Sequence, residues 1–186
     1  LPFWYVPLEE ALLERERYPL HAITQRPMAM YHSWGSHNAW LRQILPENRI
    51  YLHRDLAATL GIRDDDWVWV RSRTGSLKCQ ARTMTGVNRH TVWTWNAIGK
   101  RAGAWALDPE APEFRRAFLL NHLISEYLPR TGEEMPSSNS DPVTGQAAWF
   151  DLTVSIEPCA AGTAAGTDPC MGANPLRIRL ASEGSQ

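Results

Sequence analysis

The chain has 186 residues, of which 44% are hydrophobic and 21% are charged, and its formal net charge is -1. This length suits one folded domain with appendages. The nearly balanced charge gives no electrostatic reason to expect a nucleic acid or an anionic membrane as a partner. No apolar run is long enough to cross a bilayer, and no signal peptide is visible. Because the first residues are apolar, carry proline and lack Met, we expect a domain of a longer polypeptide.

The three cysteines, Cys79, Cys159 and Cys170, are too few and too scattered for a disulfide framework. None forms a CxxC pair, so we predict free thiols and expect neither an iron–sulfur cluster nor structural zinc within this chain.

Nine tryptophans are many for this length. A group of them lies among polar residues, where an indole ring suits the half-buried wall of a ligand site: Trp34, Trp40, Trp95 and Trp149. For Trp67 and Trp69 we predict simple core packing.

The first third of the chain predicts two helices around one strand. Residues 8–18 ("LEEALLERERY") favour a helix, and "LHAIT" (20–24) a buried strand. A second helix is predicted to start near Ser36. Its inner face would consist of Ala39, Trp40 and Ile44.

The middle of the chain predicts short strands around one brief helix. "RIYLH" is a strand, Asp55 is the predicted N-cap of a helix over "LAATL", and Gly61 ends that helix. "WVWVRSR" alternates as a strand does, Thr74-Gly75 makes a hairpin turn, and "SLKCQARTM" returns. "TVWTW" is a further strand.

After Asp108 the pattern changes. The spacing of four apolar residues predicts a helix with an apolar stripe, composed of Phe114, Phe118, Leu119 and Leu123. A loop follows, and "WFDLTVSIEP" is a closing strand. Short strands at close spacing favour a small closed β-barrel over a parallel doubly wound sheet.

Three polar clusters lie beside predicted strands: residues 23–40, 94–105 and 137–149. In a barrel, loops at related strand ends are where binding residues concentrate. Arginine binds phosphate through two parallel hydrogen bonds, and amides suit the edge of a purine or pterin ring. Nothing in the sequence stands out as a nucleophilic or acid–base catalytic site, so the clusters indicate binding. For any single residue, a surface ion pair or ordinary turn chemistry explains the pattern as well.

The chain resembles the dinucleotide-cofactor-binding domain at the C-terminus of the molybdopterin oxidoreductases, the class that includes dimethyl sulfoxide reductase. The resemblance lies in "YPLHAITQRPMAMYHS", in "IYLHRDLAATLGIRDDDWVWVRSRTGSLKCQA" and in "NSDPVTGQAAWFDLTVSIE". It implies a six-stranded double-psi β-barrel over residues 18–158. Residues 1–17 would then connect to a preceding domain, and 159–186 would form a flexible tail.

The resemblance also implies which residues contact the cofactor, bis(molybdopterin guanine dinucleotide) with Mo or W. Three groups are expected: Thr24, Gln25, Arg26, Tyr31, His32 and Ser33 in the first loop; Trp95, Asn96 and Asn121; and Asn139, Gln146 and Trp149 in the closing loop. No residue of this chain is expected to be catalytic or to bind the metal.

By the same resemblance, the reaction is a two-electron oxidation or reduction of a small substrate, and the isolated domain is expected to be inactive. The polar loops look most like those of enzymes acting on sulfur compounds, such as sulfite dehydrogenase, with formate, thiosulfate and polysulfide left open. Expected partners are the remaining domains of the same polypeptide, an iron–sulfur electron-transfer subunit and a membrane anchor subunit. The expected location is the cytoplasm or the cytoplasmic face of the membrane, with the periplasm as the alternative.

Two other classes of function compete with this interpretation. A stand-alone double-psi barrel can act as a protein-interaction adaptor, which has no need for polar side chains gathered at one end. A hydrolase using His32 or His37 would need a carboxylate close to one of those rings.

Overall fold

The computed structural model describes residues 13–98, 118–124, 138–141, 143–147 and 152–159. Its six strands are β1 (Leu20–Gln25), β2 (Ile50–His53), β3 (Trp67–Arg71), β4 (Ser76–Met84), β5 (Thr91–Trp95) and β6 (Thr153–Pro158). The strands close into a barrel in the order β1-β5-β2-β4-β3-β6. The predicted fold class, mainly β with a closed six-stranded barrel, is therefore confirmed.

The directions of the strands decide which loops share an end of the barrel. β1 pairs with β5 and β2 with β4 in parallel, and all other neighbours are antiparallel. Hence β1, β3 and β5 run one way, and β2, β4 and β6 run the other. The described residues that directly follow β1, β3 and β5 emerge at one end, which we call the upper end: residues 26–49, 72–75 and 96–98. Residues 118–124 are hydrogen-bonded to this end through Asn48, Ser72 and Thr74. The described parts of the first two predicted polar clusters, residues 23–40 and 94–98, lie at the upper ends of β1 and β5 or directly follow them.

Alternation along the strands fills the barrel. In β3, Val68 and Val70 point inward and are fully buried, as the period of two predicts. Trp67 and Trp69 therefore point outward and are only half-buried, so the prediction of core packing for them was wrong. Their rings instead lie under cations, with the Lys78 ammonium 5.3 Å from the Trp67 ring and the Arg71 guanidinium 5.1 Å from the Trp69 ring.

The helix predicted near Ser36 exists, but it starts later and faces another way. A 3₁₀ helix spans His32–His37, and α1 spans Ala39–Ile44, capped by the Asn38 side chain. The predicted inner face was wrong, because Trp40 and Ile44 are exposed. Leu41 instead packs against a small cluster formed by Met30, Ala97 and Ile98.

The helix α2 (Arg54–Leu60) lies at the opposite, lower end, between β2 and β3. Its N-cap is His53, whose Nδ1 accepts a hydrogen bond from the Asp55 backbone N–H at 3.1 Å. Asp55 was predicted as the cap, and it lies in the first turn instead. Gly61 ends the helix at φ 68°, in the left-handed conformation that glycine adopts without strain, as predicted.

Two predicted helices fail in their described parts. Residues 13–18 form a turn in which the Tyr18 N–H donates to Glu14 O at 2.8 Å, and Pro19 then favours extended backbone before it. Phe118 and Leu119 are not helical, and a short 3₁₀ helix follows at Leu120–Leu123. The carbonyl groups at the two ends of this segment bond to the barrel instead of continuing a helix. Residues 8–12 and 114–117 lie outside the described residues.

The remaining strand and turn predictions hold where the structure describes them. Ser72 N–H donates to Gly75 O at 2.8 Å and closes the predicted hairpin. Cys79 and Cys159 are free, and burial raises the pKa of both thiols. Cys170 and the predicted tail beyond Cys159 lie outside the described residues. Among the helices that are described, none is long and apolar enough to cross a membrane.

Candidate functional site

The first predicted loop begins where β1 ends. Thr24 is half-buried, whereas Gln25 and Arg26 are exposed. The Arg26 guanidinium lies 5.1 Å from the centre of the Tyr31 ring, and its Nη2 is 2.9 Å from Nε2 of His32. Neither of these two contacts of Arg26, both with residues that the structure describes, involves a carboxylate. The positive charge of Arg26 is thus held in a fixed direction while remaining available to an anion.

The end of β5 completes this group. Gln25 pairs with Trp95 in parallel register, and the Asn96 N–H donates to Gln25 O at 2.9 Å. The Asn96 side-chain amide lies 3.4 Å from Nδ1 of His32. The sheet therefore connects the three polar side chains that we call the Arg26–His32–Asn96 group, although 70 residues separate its first and last members along the sequence.

The chemistry of arginine fixes the proton on His32 within this group. A guanidinium can only donate, so Nε2 must accept, and in the neutral ring the proton is on Nδ1. That N–H needs an acceptor, which favours the orientation of the Asn96 amide that presents its oxygen. In the assigned orientation Oδ1 is instead buried without a partner among the described residues. In either orientation, one buried polar atom of this amide has no hydrogen-bond partner among the described residues.

His32 has φ 49°, a left-handed conformation that is uncommon for a residue with a side chain. This conformation starts the 3₁₀ helix and turns the imidazole toward both Arg26 and Asn96. Strained backbone of this kind persists where surrounding contacts maintain it and clusters at functional sites, although Asp65 in the turn before β3 also has a positive φ, of 66°. With Arg26 and Asn96 on its two ring nitrogens, His32 has no carboxylate partner in the described residues, which argues against His32 as the histidine of a hydrolase.

Asn48 is a buried polar residue that the sequence analysis did not identify. It precedes β2, is 2% exposed, and has a side chain with six hydrogen-bond contacts, three at Nδ2 and three at Oδ1, some of which share a hydrogen or a lone pair. Its Nδ2 lies within 3.1 Å of the backbone oxygens of Trp95, Ile98 and Phe118. Its Oδ1 accepts from Thr94 Oγ1 and from the backbone N–H groups of Arg49 and Trp95. One side chain thereby links the segment after β5 to the segment that carries Asn121.

The segment 118–124 is attached to the barrel at both ends. Phe118 O bonds to Asn48, and Leu123 O accepts from the hydroxyls of Ser72 at 2.7 Å and Thr74 at 2.6 Å. Leu120 and Leu123 are buried between these two attachments. Asn121 is exposed on the intervening turn. The backbone that carries Asn121, a predicted contact residue, is thus held by hydrogen bonds to Phe118 O and Leu123 O and not by the side chain of Asn121.

The closing loop is described only in part. Asn139 is buried, and Gln146 is exposed on a tight loop in which the Asp141 N–H donates to Gln146 O at 2.7 Å. Within the described residues, neither Asn121 nor Gln146 hydrogen-bonds to the Arg26–His32–Asn96 group. The side chain of Ser33 and all of Trp149 lie outside what the structure describes.

The predicted tryptophan wall is only partly correct. Trp95 is half-buried, with its ring edge-on to Trp93 at 4.7 Å between centres. Trp34 and Trp40 are each 77% exposed, so they do not form a half-buried wall within this chain. Among the described residues, no cluster of His, Cys, Asp or Glu could hold a metal ion.

Comparison with known proteins identifies the kind of domain to which this geometry belongs. The family model described as "Molydopterin dinucleotide binding domain" matches residues 20–140. The chain is 55% identical over 171 residues to one of the subunits of sulfite dehydrogenase from Allochromatium vinosum, covering 91% of this chain and 18% of that protein. It is 33% identical over 85 residues to dopamine dehydroxylase of Eggerthella lenta, a match that covers 42% of this chain and 8% of that protein.

Acetylene hydratase from Pelobacter acetylenicus has a similar fold, with a TM-score of 0.63 at 22% identity, over 86% of this chain and 21% of that one. At this identity the similarity concerns the fold alone. The chain thus spans less than a quarter of the length of each of these proteins.

Proposed function

Since the chain belongs to the family of molydopterin dinucleotide binding domains, we propose that its upper end holds the pterin and phosphate groups of bis(molybdopterin guanine dinucleotide). The Arg26–His32–Asn96 group is the observation that carries this proposal. It combines a directed cation with a buried amide atom that lacks a partner among the described residues. A phosphate and the polar edge of a fused ring need these two kinds of group.

Each residue of the site has a role in this proposal. Arg26 binds a phosphate, and neutral His32 keeps the guanidinium in place by accepting one of its hydrogens. Asn96 and Asn121 offer amides to a ring edge, and Thr24, Gln25, Tyr31 and Ser33 line the same loop. Trp95, Asn139, Gln146 and Trp149 remain further proposed contacts. The bound cofactor would supply two-electron chemistry at molybdenum or tungsten, while the protein binds and orients it.

The proposed reaction is the oxidation or reduction of a sulfur oxyanion. Support comes from the 55% identity to a protein whose name assigns it to a sulfite dehydrogenase. We further propose that this domain, over residues 18–158, works within a larger catalytic polypeptide and is inactive alone. An iron–sulfur subunit and a membrane anchor subunit would complete the enzyme at the cytoplasmic face of the membrane.

Replacing Arg26 by alanine tests the proposal directly. In the cofactor-loaded polypeptide that carries this domain, we expect Arg26→Ala to weaken cofactor retention roughly tenfold to a hundredfold, the usual effect of losing one hydrogen bond to a charged group. The measurement is molybdenum and guanine nucleotide per polypeptide after gel filtration. Arg26→Lys should retain an amount of cofactor between those of wild type and Arg26→Ala, because lysine keeps the charge without the paired donors.

Arg63→Ala is the matched control, because Arg63 is exposed at the lower end of the barrel. It removes the same charge and should leave cofactor content at the wild-type level. Equal loss in Arg26→Ala and Arg63→Ala would mean that general charge matters and the first loop does not. Retention unchanged in both would contradict the proposed site.

A further inference from the structure

Asn48 connects two parts of the upper end that are far apart in the sequence. Its amide contacts Trp95 O and Ile98 O on one side and Phe118 O on the other. The first two belong to the segment with Asn96, and the third belongs to the segment with Asn121. We propose that Asn48 is a positioning residue of the cofactor site, setting the placement of Asn121 relative to Asn96. This inference rests on the proposed function.

Burial makes the contacts of Asn48 strong and specific. The side chain is 2% exposed, and Thr94, which donates to its Oδ1 at 2.8 Å, is fully buried. A buried amide whose donors and acceptor are all engaged resists displacement, because each group left unpaired costs free energy. The three backbone carbonyls around Nδ2 lie at the end of β5 and in loops, where no strand ladder continues to hold them. Asn48 supplies the bonds that a ladder would otherwise provide.

Two other roles, direct contact with a ligand and closure of the barrel, do not account for this arrangement. Asn48 is too buried to contact a ligand itself, and the barrel below it already closes through its strand ladders. A second attachment, from Ser72 and Thr74 to Leu123 O, fixes the far end of the same segment. With both ends of residues 118–124 fixed, the exposed Asn121 between them can present its amide in one place.

A double-mutant cycle distinguishes positioning from general stability. In the cofactor-loaded polypeptide, we expect Asn48→Ser and Asn121→Ala each to speed cofactor loss roughly tenfold. If Asn48 acts by placing Asn121, the double variant should lose cofactor about tenfold to thirtyfold faster than wild type, well short of the roughly hundredfold that independent effects predict. The readout is pterin released over time, measured by its fluorescence after oxidation. Fully multiplicative effects in the double variant would overturn the inference.

Ile62→Ala is the stability control, since Ile62 is buried at the lower end, after α2. At a temperature where Ile62→Ala and Asn48→Ser are unfolded to the same extent, only Asn48→Ser should lose cofactor faster than wild type. Equal loss in both would show that Asn48 acts through stability alone. Should Asn48→Ser not fold, Thr94→Val removes one donor to Asn48 at nearly constant volume and is expected to act several-fold in the same direction.

The variant Asn48→Asp adds a further test, the pH dependence of cofactor retention. At matched stability, a purely structural role of Asn48 would not produce such a pH dependence. The introduced carboxyl group can donate one hydrogen bond when protonated, and when ionised it repels the three carbonyls. Cofactor retention should therefore recover as the pH falls, and a flat profile would count against positioning. If Arg26→Ala and Asn121→Ala both leave retention unchanged, the proposed function fails. If they lower it while Asn48→Ser matches Ile62→Ala, only this inference fails.

Discussion

Asp64 shows how a turn that looks merely acidic in the sequence is organised residue by residue. In "RDDD", Asp64 Oδ1 accepts from the Thr83 N–H at 2.6 Å, and Oδ2 faces Arg82 at 3.3 Å. The hydrogen bond from the Thr83 backbone is the main cause that lowers the pKa of Asp64, and it outweighs desolvation, with smaller contributions from side-chain hydrogen bonds of Thr83 and Arg82 and from the Arg82 charge. Asp65 accepts from Arg49 at 3.0 Å and also lies 3.6 Å from Arg82, so the two neighbouring acids share Arg82 and Asp65 adds a second arginine.

Because the folded-state pKa of Asp64 lies below its unfolded value, this carboxylate stabilises the fold above an unfolded pKa of about 3.9. The contribution is lost as the pH falls through the folded pKa. We expect Asp64→Asn to be less stable than wild type at pH 7, and to lose less stability than wild type between about pH 5 and pH 3. Urea unfolding at several pH values measures this. Glu16→Gln, at an exposed carboxylate, is the control, and identical pH profiles for all three proteins would contradict the expected role of Asp64.

At the scale of elements, strands were predictable because their period of two is visible locally. β3 alternates Val68 and Val70 against Trp67 and Trp69, and the structure keeps this alternation although the rings face outward. Helix details were not predictable, since contacts outside the helix decide them. Leu41 rather than Trp40 turns inward because Ile98 lies there, and His53 rather than Asp55 caps α2.

Substitutions at two glycines are expected to have different effects: Gly61 ends α2, whereas Gly75 lies in the turn before β4. A Cβ on Gly75 would lie 2.8 Å from His122 O, so backbone must move, whereas at Gly61 there is open space and only the positive φ is strained. Gly61→Ala should therefore cost about 1 kcal/mol of stability and leave cofactor retention unchanged. Gly75→Ala should displace the segment 120–123 and lower retention beyond its effect on stability. Thermal unfolding and bound guanine nucleotide measure the two effects, and equal retention in both variants would refute the distinction.

At the scale of the whole molecule, the parallel pairing of β1 with β5 places the residues that follow these two strands at the same end of the closed barrel. Arg26, Tyr31 and His32 were predictable as a local group, because one short loop contains them all. Asn48 was not, since its partners Thr94 and Phe118 lie 46 and 70 residues away and "PENRIY" has the composition of an ordinary loop before a strand. Local patterns thus indicate which exposed residues belong to the proposed site, whereas tertiary contacts determine how those residues are supported.

Closure of the barrel depends on β6, which pairs with β1 at Leu20–Val154 and with β3 from Val68 to Arg71. The last described bond of the chain is from Cys159 N–H to Trp67 O at 2.8 Å. If residues after 159 form a tail, as the sequence predicts, a chain ending at 159 should keep its melting temperature. A chain ending at 152 lacks β6, so β1 and β3 have open edges and the core loses the buried side chain of Val154. Such a chain should not fold cooperatively. Calorimetry of both truncations checks this, and a cooperative transition without β6 would show that the barrel does not need to close.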